Sequence, residues 1–369
     1  MDAVRVLQRL VRAESPSGRE GPAARVLMEA LAELGLKPRL DEAGNVEAVL
    51  GEAGPEVLLT GHMDTVPAGA AEAWPYPPFS GEVAEGAVWG RGTVDMKGAL
   101  AAMVAALARL KDRALPGRVR FLAVVQEEVG GLGSRYAAGR LEPAVVVLGE
   151  PSNLEVMRGH RGRIEVRADF EGRLAHAARA ELGHNPLFAA GRFLAALEEF
   201  PVATNGELGP ASCTPTLVAS DPAATNVVPG VARVVVDYRF VPGEDPDRIV
   251  ERLRDLAGDA AVYVPEEERT SGEVRMTYPM IYPPYLLDRA HPALEVALRA
   301  VGQAEAGVWW FTTDAPYLAA TGAPVIGYGP GDPALAHTTR EHVSVAQVEA
   351  AVQGYVRLVE ALVAWASAR

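Results

Sequence analysis

Four short apolar runs, at residues 56–59, 119–125, 144–148 and 323–326, constrain the fold of this chain more than any other feature. Stretches with helical spacing separate them. Val26, Leu27, Leu31 and Leu34 mark one helix over 23–34, an Ala-, Leu- and Met-rich segment marks another over 98–110, and a final helix is expected over 345–365. Uninterrupted apolar strands alternating with helices predict an α/β fold with a mostly parallel sheet covered on both faces. Ligands in such sheets bind beyond the carboxyl ends of the strands. His62, Asp64, Glu127 and Glu150 all lie just past an apolar run.

The texture changes near residue 163. Residues 164–170 and 231–240 alternate apolar and polar, as half-buried strands do. Helices are expected at 186–197 and 247–256, and a short strand at 262–264. This order suits a small α+β layer. After about residue 276 the first texture returns. The expected organisation is therefore one large domain, 1–162 with 276–369, interrupted by a smaller one at 163–275. Two domains also fit 369 residues at about 150 residues per domain.

Composition narrows the chemistry. A net charge of −13 argues against a nucleic-acid partner. Cys213 is the only cysteine, which excludes an internal disulfide and a thiolate zinc site. The N-terminal segment reads as an amphipathic helix without the basic and apolar regions of a secretion signal, and no run is long enough for a membrane span. The cytoplasm is the expected location. Lysine occurs only at 37, 97 and 111, with arginine elsewhere, which suggests a GC-rich genome and is compatible with a thermophilic source.

Histidines and acids at strand ends, with no thiolates, point to a metal site. A pair of cations about 3.5–4 Å apart needs a bridging anion to offset their repulsion. Asp95 suits that position, because its glycine-rich approach lets the backbone turn tightly. His62 and Glu150 would complete one ion, and Glu128 and His337 the other. Such ligands suit Zn2+, and also Co2+ or Mn2+. Asp64 would fix the tautomer of His62. Glu127 is left free as a general base.

These segments occur together in a recognisable order: His62-Met63-Asp64-Thr65-Val66-Pro67, Gly90-Arg91-Gly92 through Asp95-Met96-Lys97-Gly98, Glu127-Glu128, Gly149-Glu150-Pro151, and Gly329-Pro330-Gly331 followed by Ala336-His337-Thr338. With them the chain resembles the dinuclear zinc amidohydrolases that include acetylornithine deacetylase, succinyl-diaminopimelate desuccinylase, aminoacylase and glutamate carboxypeptidase. The resemblance implies a zinc-peptidase-like α/β/α catalytic domain with an inserted lid and dimerisation domain. It implies the metal and base roles given above, and a cis peptide after Asp95. It also implies that His176, in Gly172-Arg173-Leu174-Ala175-His176-Ala177, reaches an active site from the partner subunit of a homodimer and holds an oxyanion. Asn226 and Arg239 match lid positions that bind a substrate carboxylate. The patterns Arg158-Gly159-His160-Arg161-Gly162-Arg163 and Trp310-Phe311-Thr312-Thr313-Asp314 resemble a less characterised deacetylase-like branch.

The expected activity is hydrolysis of an N-acyl amino acid at an amide beside a free carboxylate, with Glu127 as base. A dipeptidase or glutamate-type carboxypeptidase is the alternative within the class, and a non-catalytic binding homologue the alternative outside it. Several residues carry plainer expectations. His160, His184, His291 and His342 read as structural or surface histidines, Cys213 as a core residue, and Glu266-Glu267-Glu268 as a solvated turn. Arg158, Arg161 and Arg163 read as flanking an inter-domain hinge, and Trp309-Trp310 as packing.

Overall fold

A computed structural model describes residues 1–369. Its largest sheet has four central parallel strands, Arg118–Val124, Glu56–His62, Val145–Leu148 and Val325–Gly327, in that spatial order. Antiparallel strands extend it on both sides, Val46–Leu50 on one and Met157–His160 on the other. Each central strand feeds both faces. Val57, Leu59, Val145 and Val147 join a core cluster of 54 buried residues, while Leu58, Val146 and Leu148 join a cluster of 12 on the opposite face. Period-two alternation between two apolar layers explains why these runs are uninterrupted in sequence. The helix Gly98–Leu110 has 11 buried residues and is apolar all round, as a helix enclosed by other elements must be. The long helix Val345–Ser367 packs beside it.

The second unit has its own core of 17 buried residues, from Ile164 to Val262. Its antiparallel sheet runs Ser212–Asp221, Val231–Arg239, Arg163–Glu171, Ala261–Tyr263. Both long inner strands alternate buried and half-buried residues along their length. Helices Leu187–Leu197 and Pro246–Ala257 contribute to the core on the buried face. The second helix has clear local signals: Asp245 caps it by accepting from the Asp247 N–H, and proline occupies its first turn. The outer strand Ser212–Asp221 leaves one edge unpaired, with Leu217 and Val218 exposed.

One expectation fails here. Glu266-Glu267-Glu268 is not a turn but the start of a strand, Glu266–Ser271, paired in a hairpin with Val274–Pro279. Arg269 pairs with Glu267 and Arg275 with Glu268, which offsets two of the three charges. The hairpin lies on the larger unit: Ser271 Oγ donates to the Ala43 carbonyl, and the Gln126 amide donates to the Thr270 carbonyl. No helix is long and apolar enough to cross a membrane.

Candidate metal centre and substrate cavity

His62 ends its strand fully buried. Its Nδ1 lies 2.8 Å from the Asp64 backbone carbonyl and 3.5 Å from the Asp64 carboxylate. The carbonyl, rather than the carboxylate, is thus the nearer acceptor that fixes the ring and leaves Nε2 facing outward. The Asp64 carboxylate is occupied elsewhere. It accepts from Ser17 Oγ at 2.7 Å and from the backbone N–H groups of Glu127 and Glu128 at 3.1 and 3.2 Å. One buried acid therefore ties the His62 strand to the loop that carries both glutamates.

Asp95 sits where the chain turns into the buried helix. Gly92 takes φ +82° there, and a Cβ on it would run into the Thr65 methyl. The Asp95–Met96 peptide is cis. Glu341 holds this turn from far along the chain, accepting from the N–H groups of Val94 and Asp95 at 3.0 and 3.2 Å and from Arg91 at 2.5 Å. The buried Lys97 ammonium donates to the Leu10 and Ala13 carbonyls.

These elements bring two donor groups together: His62, Asp95 and Glu150, and Asp95, Glu128 and His337, each with one donor atom per residue within 4.8 Å of the others. His62 Nε2 lies 2.8 Å from Asp95 Oδ1 and 3.9 Å from Glu150. His337 Nε2 lies 3.2 Å from Asp95 Oδ2 and 3.0 Å from Glu128. Asp95 thus shares its two oxygens between the groups. The sets differ in access, since the His62 side chain is 1% exposed and that of His337 50%. His337 also holds φ +62°, a conformation uncommon outside glycine, on the loop that projects it inward.

The residues fit a pair of divalent cations. Glu150 Oε1 is buried without a hydrogen-bond partner where the donors converge, and such an orphan is costly without a positive group to face it. The protonation tendencies agree. Burial drives Glu150 and Glu127 well above the ordinary carboxylate range, with Asp314 the main charge acting on Glu127. Burial opposes charge on His62, but its hydrogen bonds to the Asp64 and Asp95 carboxylates outweigh that and raise its pKa well above the usual value. Hydrogen bonds to Asp95 and Glu128 raise His337 to about 10. Asp95 differs: burial would raise its pKa, but hydrogen bonds from His337 and His62 outweigh that and hold it below the ordinary carboxylate range.

Glu127, Glu128 and Glu150 line a cavity of about 320 Å³, with His337 and Asp95 on its floor. The opposite wall carries Arg163, Asp237 and Arg239 from the small sheet, and Tyr282, Trp310 and Phe311. Arg239 is therefore at the cavity. His176 and Asn226 are not: both are exposed, beside one another at the outer end of the small unit, where the Ala177 N–H donates to the Asn226 carbonyl. The pair Trp309-Trp310 divides. Trp309 is buried with its indole N–H on the Pro151 carbonyl, whereas Trp310 is 62% exposed at the cavity and is not the packing residue expected of it. His160 is a buried structural histidine, its Nε2 accepting from the Thr313 N–H.

Sequence reasoning missed Glu341 and Asp314. Asp314 is buried, has one oxygen without a partner, and is held by burial at a pKa of about 6. No strand end or glycine turn marks either residue.

The model of "Peptidase family M20/M25/M40" matches residues 58–361. A succinyl-diaminopimelate desuccinylase of Methylorubrum extorquens is 31% identical over 387 residues, covering 96% of this chain and 97% of that one. A putative LysW-lysine/LysW-ornithine hydrolase of Pyrobaculum aerophilum is 33% identical, with 98% of each covered. The crystal structure of the M20 family metallo-carboxypeptidase Sso-CP2 of Sulfolobus solfataricus superimposes with a TM-score of 0.80 at 17% identity, over 99% of this chain and 100% of that one, which establishes the shared fold.

Proposed function

The chain belongs to the M20/M25/M40 peptidase family of metallohydrolases, and on that premise we propose that it cleaves the amide bond of an N-acyl amino acid beside a free carboxylate. The observation that carries this reading is the sharing of Asp95 between two donor groups at the floor of a cavity whose far wall holds Arg239. His62, Asp95 and Glu150 would hold one cation, and Asp95, Glu128 and His337 the other, with Zn2+ the best match to histidine and carboxylate ligands. Such an ion pair lowers the pKa of water toward ~7 and polarises a carbonyl.

The remaining chemistry belongs to the side chains. Glu127 takes the proton of the attacking water and passes it to the leaving nitrogen. Its loop is held by Asp64, so the carboxylate does not have to be ordered during reaction. Arg239 binds the carboxylate next to the scissile bond. His176 donates to the developing oxyanion from a second copy of the chain, which accords with its exposure and its distance from the cavity lining of its own chain. Asn226 lies beside it and joins the same contact. The unpaired, apolar edge of Ser212–Asp221 supports such a homodimer.

The test is a panel of N-acyl amino acids and dipeptides on enzyme stripped by a chelator and restored with stoichiometric zinc. Hydrolysis of N-acyl amino acids should vanish and return. Turnover that survives chelation, or none on the whole panel after reconstitution, refutes the proposal. A monomer in multi-angle light scattering with full activity refutes the role of His176 across subunits.

A further inference from the structure

The far wall of the cavity carries information about the substrate that the metal floor does not. Five carboxylates line the cavity. Four of them, Asp95, Glu127, Glu128 and Glu150, belong to the metal and base cluster. The fifth, Asp237, is consumed by arginines: Arg163 Nε donates to one oxygen at 2.6 Å and Arg239 Nε to the other at 2.6 Å. Burial alone would raise the Asp237 pKa, but the two guanidinium groups outweigh it and hold the carboxyl below its ordinary range. The trio therefore keeps a net charge of +1. It can take one anionic group, and it leaves no carboxylate for an ammonium.

Beside it stands an aromatic wall. Trp310 packs edge-on against Phe311 with ring centroids 5.2 Å apart, and Phe311 leans on the buried Trp309 at 5.9 Å. Trp310 is thus braced from behind while presenting an exposed face at the cavity. Arg239 joins the two walls, donating to Thr312 Oγ1 at 3.1 Å. That adjacency matters. The α-carboxylate and the side chain of an amino acid leave the same carbon, so the groups that receive them must be neighbours.

We infer that the amino-acid half of the substrate bears an apolar, preferentially aromatic side chain packed on Trp310 and Phe311, and that cationic side chains such as those of ornithine and lysine are excluded. The inference rests on the amidohydrolase reading and narrows it. It separates this chain from the relative whose name specifies a lysine or ornithine substrate. A buried ammonium facing two guanidinium groups would lose water without gaining a partner. An aromatic ring on Trp310 gains area and edge-to-face contact. Arg163 becomes a specificity-determining residue, because it removes the negative charge that Asp237 would otherwise offer.

The experiment compares kcat/KM of the zinc-loaded enzyme for N-acetyl-L-phenylalanine, N-acetyl-L-alanine, Nα-acetyl-L-ornithine and Nα-acetyl-L-lysine. The phenylalanine substrate should exceed both cationic ones by at least about tenfold. In Trp310→Ala the phenylalanine-to-alanine ratio should fall by ~3–10-fold. A cationic substrate equal to or better than the phenylalanine one, or an unaltered ratio in Trp310→Ala, overturns the inference while leaving the hydrolase reading intact. Absence of turnover on all four overturns the hydrolase reading. Calorimetric titration of the Glu127→Ala variant with N-acetyl-L-phenylalanine and N-acetyl-L-ornithine then decides the inference on its own: tighter phenylalanine binding supports it, and equal or tighter ornithine binding overturns it.

Discussion

The floor and the far wall of the cavity are built on opposite plans. The floor hangs from the ends of central strands whose side chains are buried on both faces, and its donors are tied together by Asp64 and Glu341. The charged part of the wall, Arg163, Asp237 and Arg239, comes from a separate small sheet with its own core, whereas Trp310 and Phe311 follow the strand Gly307–Trp309 of the large sheet. A reacting geometry tolerates little displacement, so it belongs on the rigid frame. Recognition of the substrate carboxylate tolerates more motion, and its arginines sit on the smaller unit.

This contrast can be broken in graded steps. Glu127→Ala should reduce kcat by ~10²–10⁴-fold while metal content, measured by mass spectrometry, stays at the wild-type value. Metal loss in that variant would mean that floor and base are not separable. Glu341→Ala attacks the support of the floor. It leaves Arg91 buried without its partner, and breaking a buried pair costs about 3–5 kcal/mol. Urea unfolding should show that loss together with weaker metal retention, and a loss under 1 kcal/mol would place the support elsewhere.

The seam between the two units has a pH signature. Burial depresses the His160 pKa from 6.5 to about 4, so the folded protein holds the ring neutral while the unfolded chain takes up a proton below pH 6.5. The resulting stability is complete above the unfolded pKa and is lost as pH falls through about 4. The span is worth about 3 kcal/mol for a shift of this size. A His160→Asn variant should lose less stability than the wild type between pH 7 and pH 4.5, and parallel curves would count against the neutral ring. The smallest effect is expected at the wall. Arg239→Ala should lower kcat/KM by ~10–100-fold, mainly through KM, consistent with loss of one charged hydrogen-bonded contact. If a substrate and its C-terminal amide respond alike, Arg239 is not the carboxylate anchor.

Much of the floor could be read from neighbours along the chain. An apolar run followed by Gly61-His62-Met63-Asp64 marks a strand end, and Gly92 marks a tight turn ahead of Asp95. The helices over 98–110 and 187–197 follow from their apolar spacing. The wall was far less legible. Arg163 and Asp237 are 74 residues apart, and Arg163 read only as a hinge flank; pairing of the two strands sets Asp237 opposite Glu165 and lets Arg163 reach it diagonally. Trp309 and Trp310 have the same residue type and opposite fates, because a one-residue step on extended backbone reverses the side-chain direction. The acidic run at 266–268 read as a turn, since its strand partner Val274–Pro279 and the ion pair from Arg275 to Glu268 arrive only with the hairpin.

Local periodicity and turn chemistry fixed the central parallel strands, the main helices, the α/β class and the residue types of a metal site before any contact was known. They act over a few residues, and such spacing survives in one dimension. The tertiary structure alone decided that Glu341 holds the Asp95 turn across about 250 residues, that Asp237 is spent between two arginines, and that Trp310 rather than Trp309 meets the cavity. Those outcomes depend on which distant segments share a wall, and packing sets that only when the sheets close.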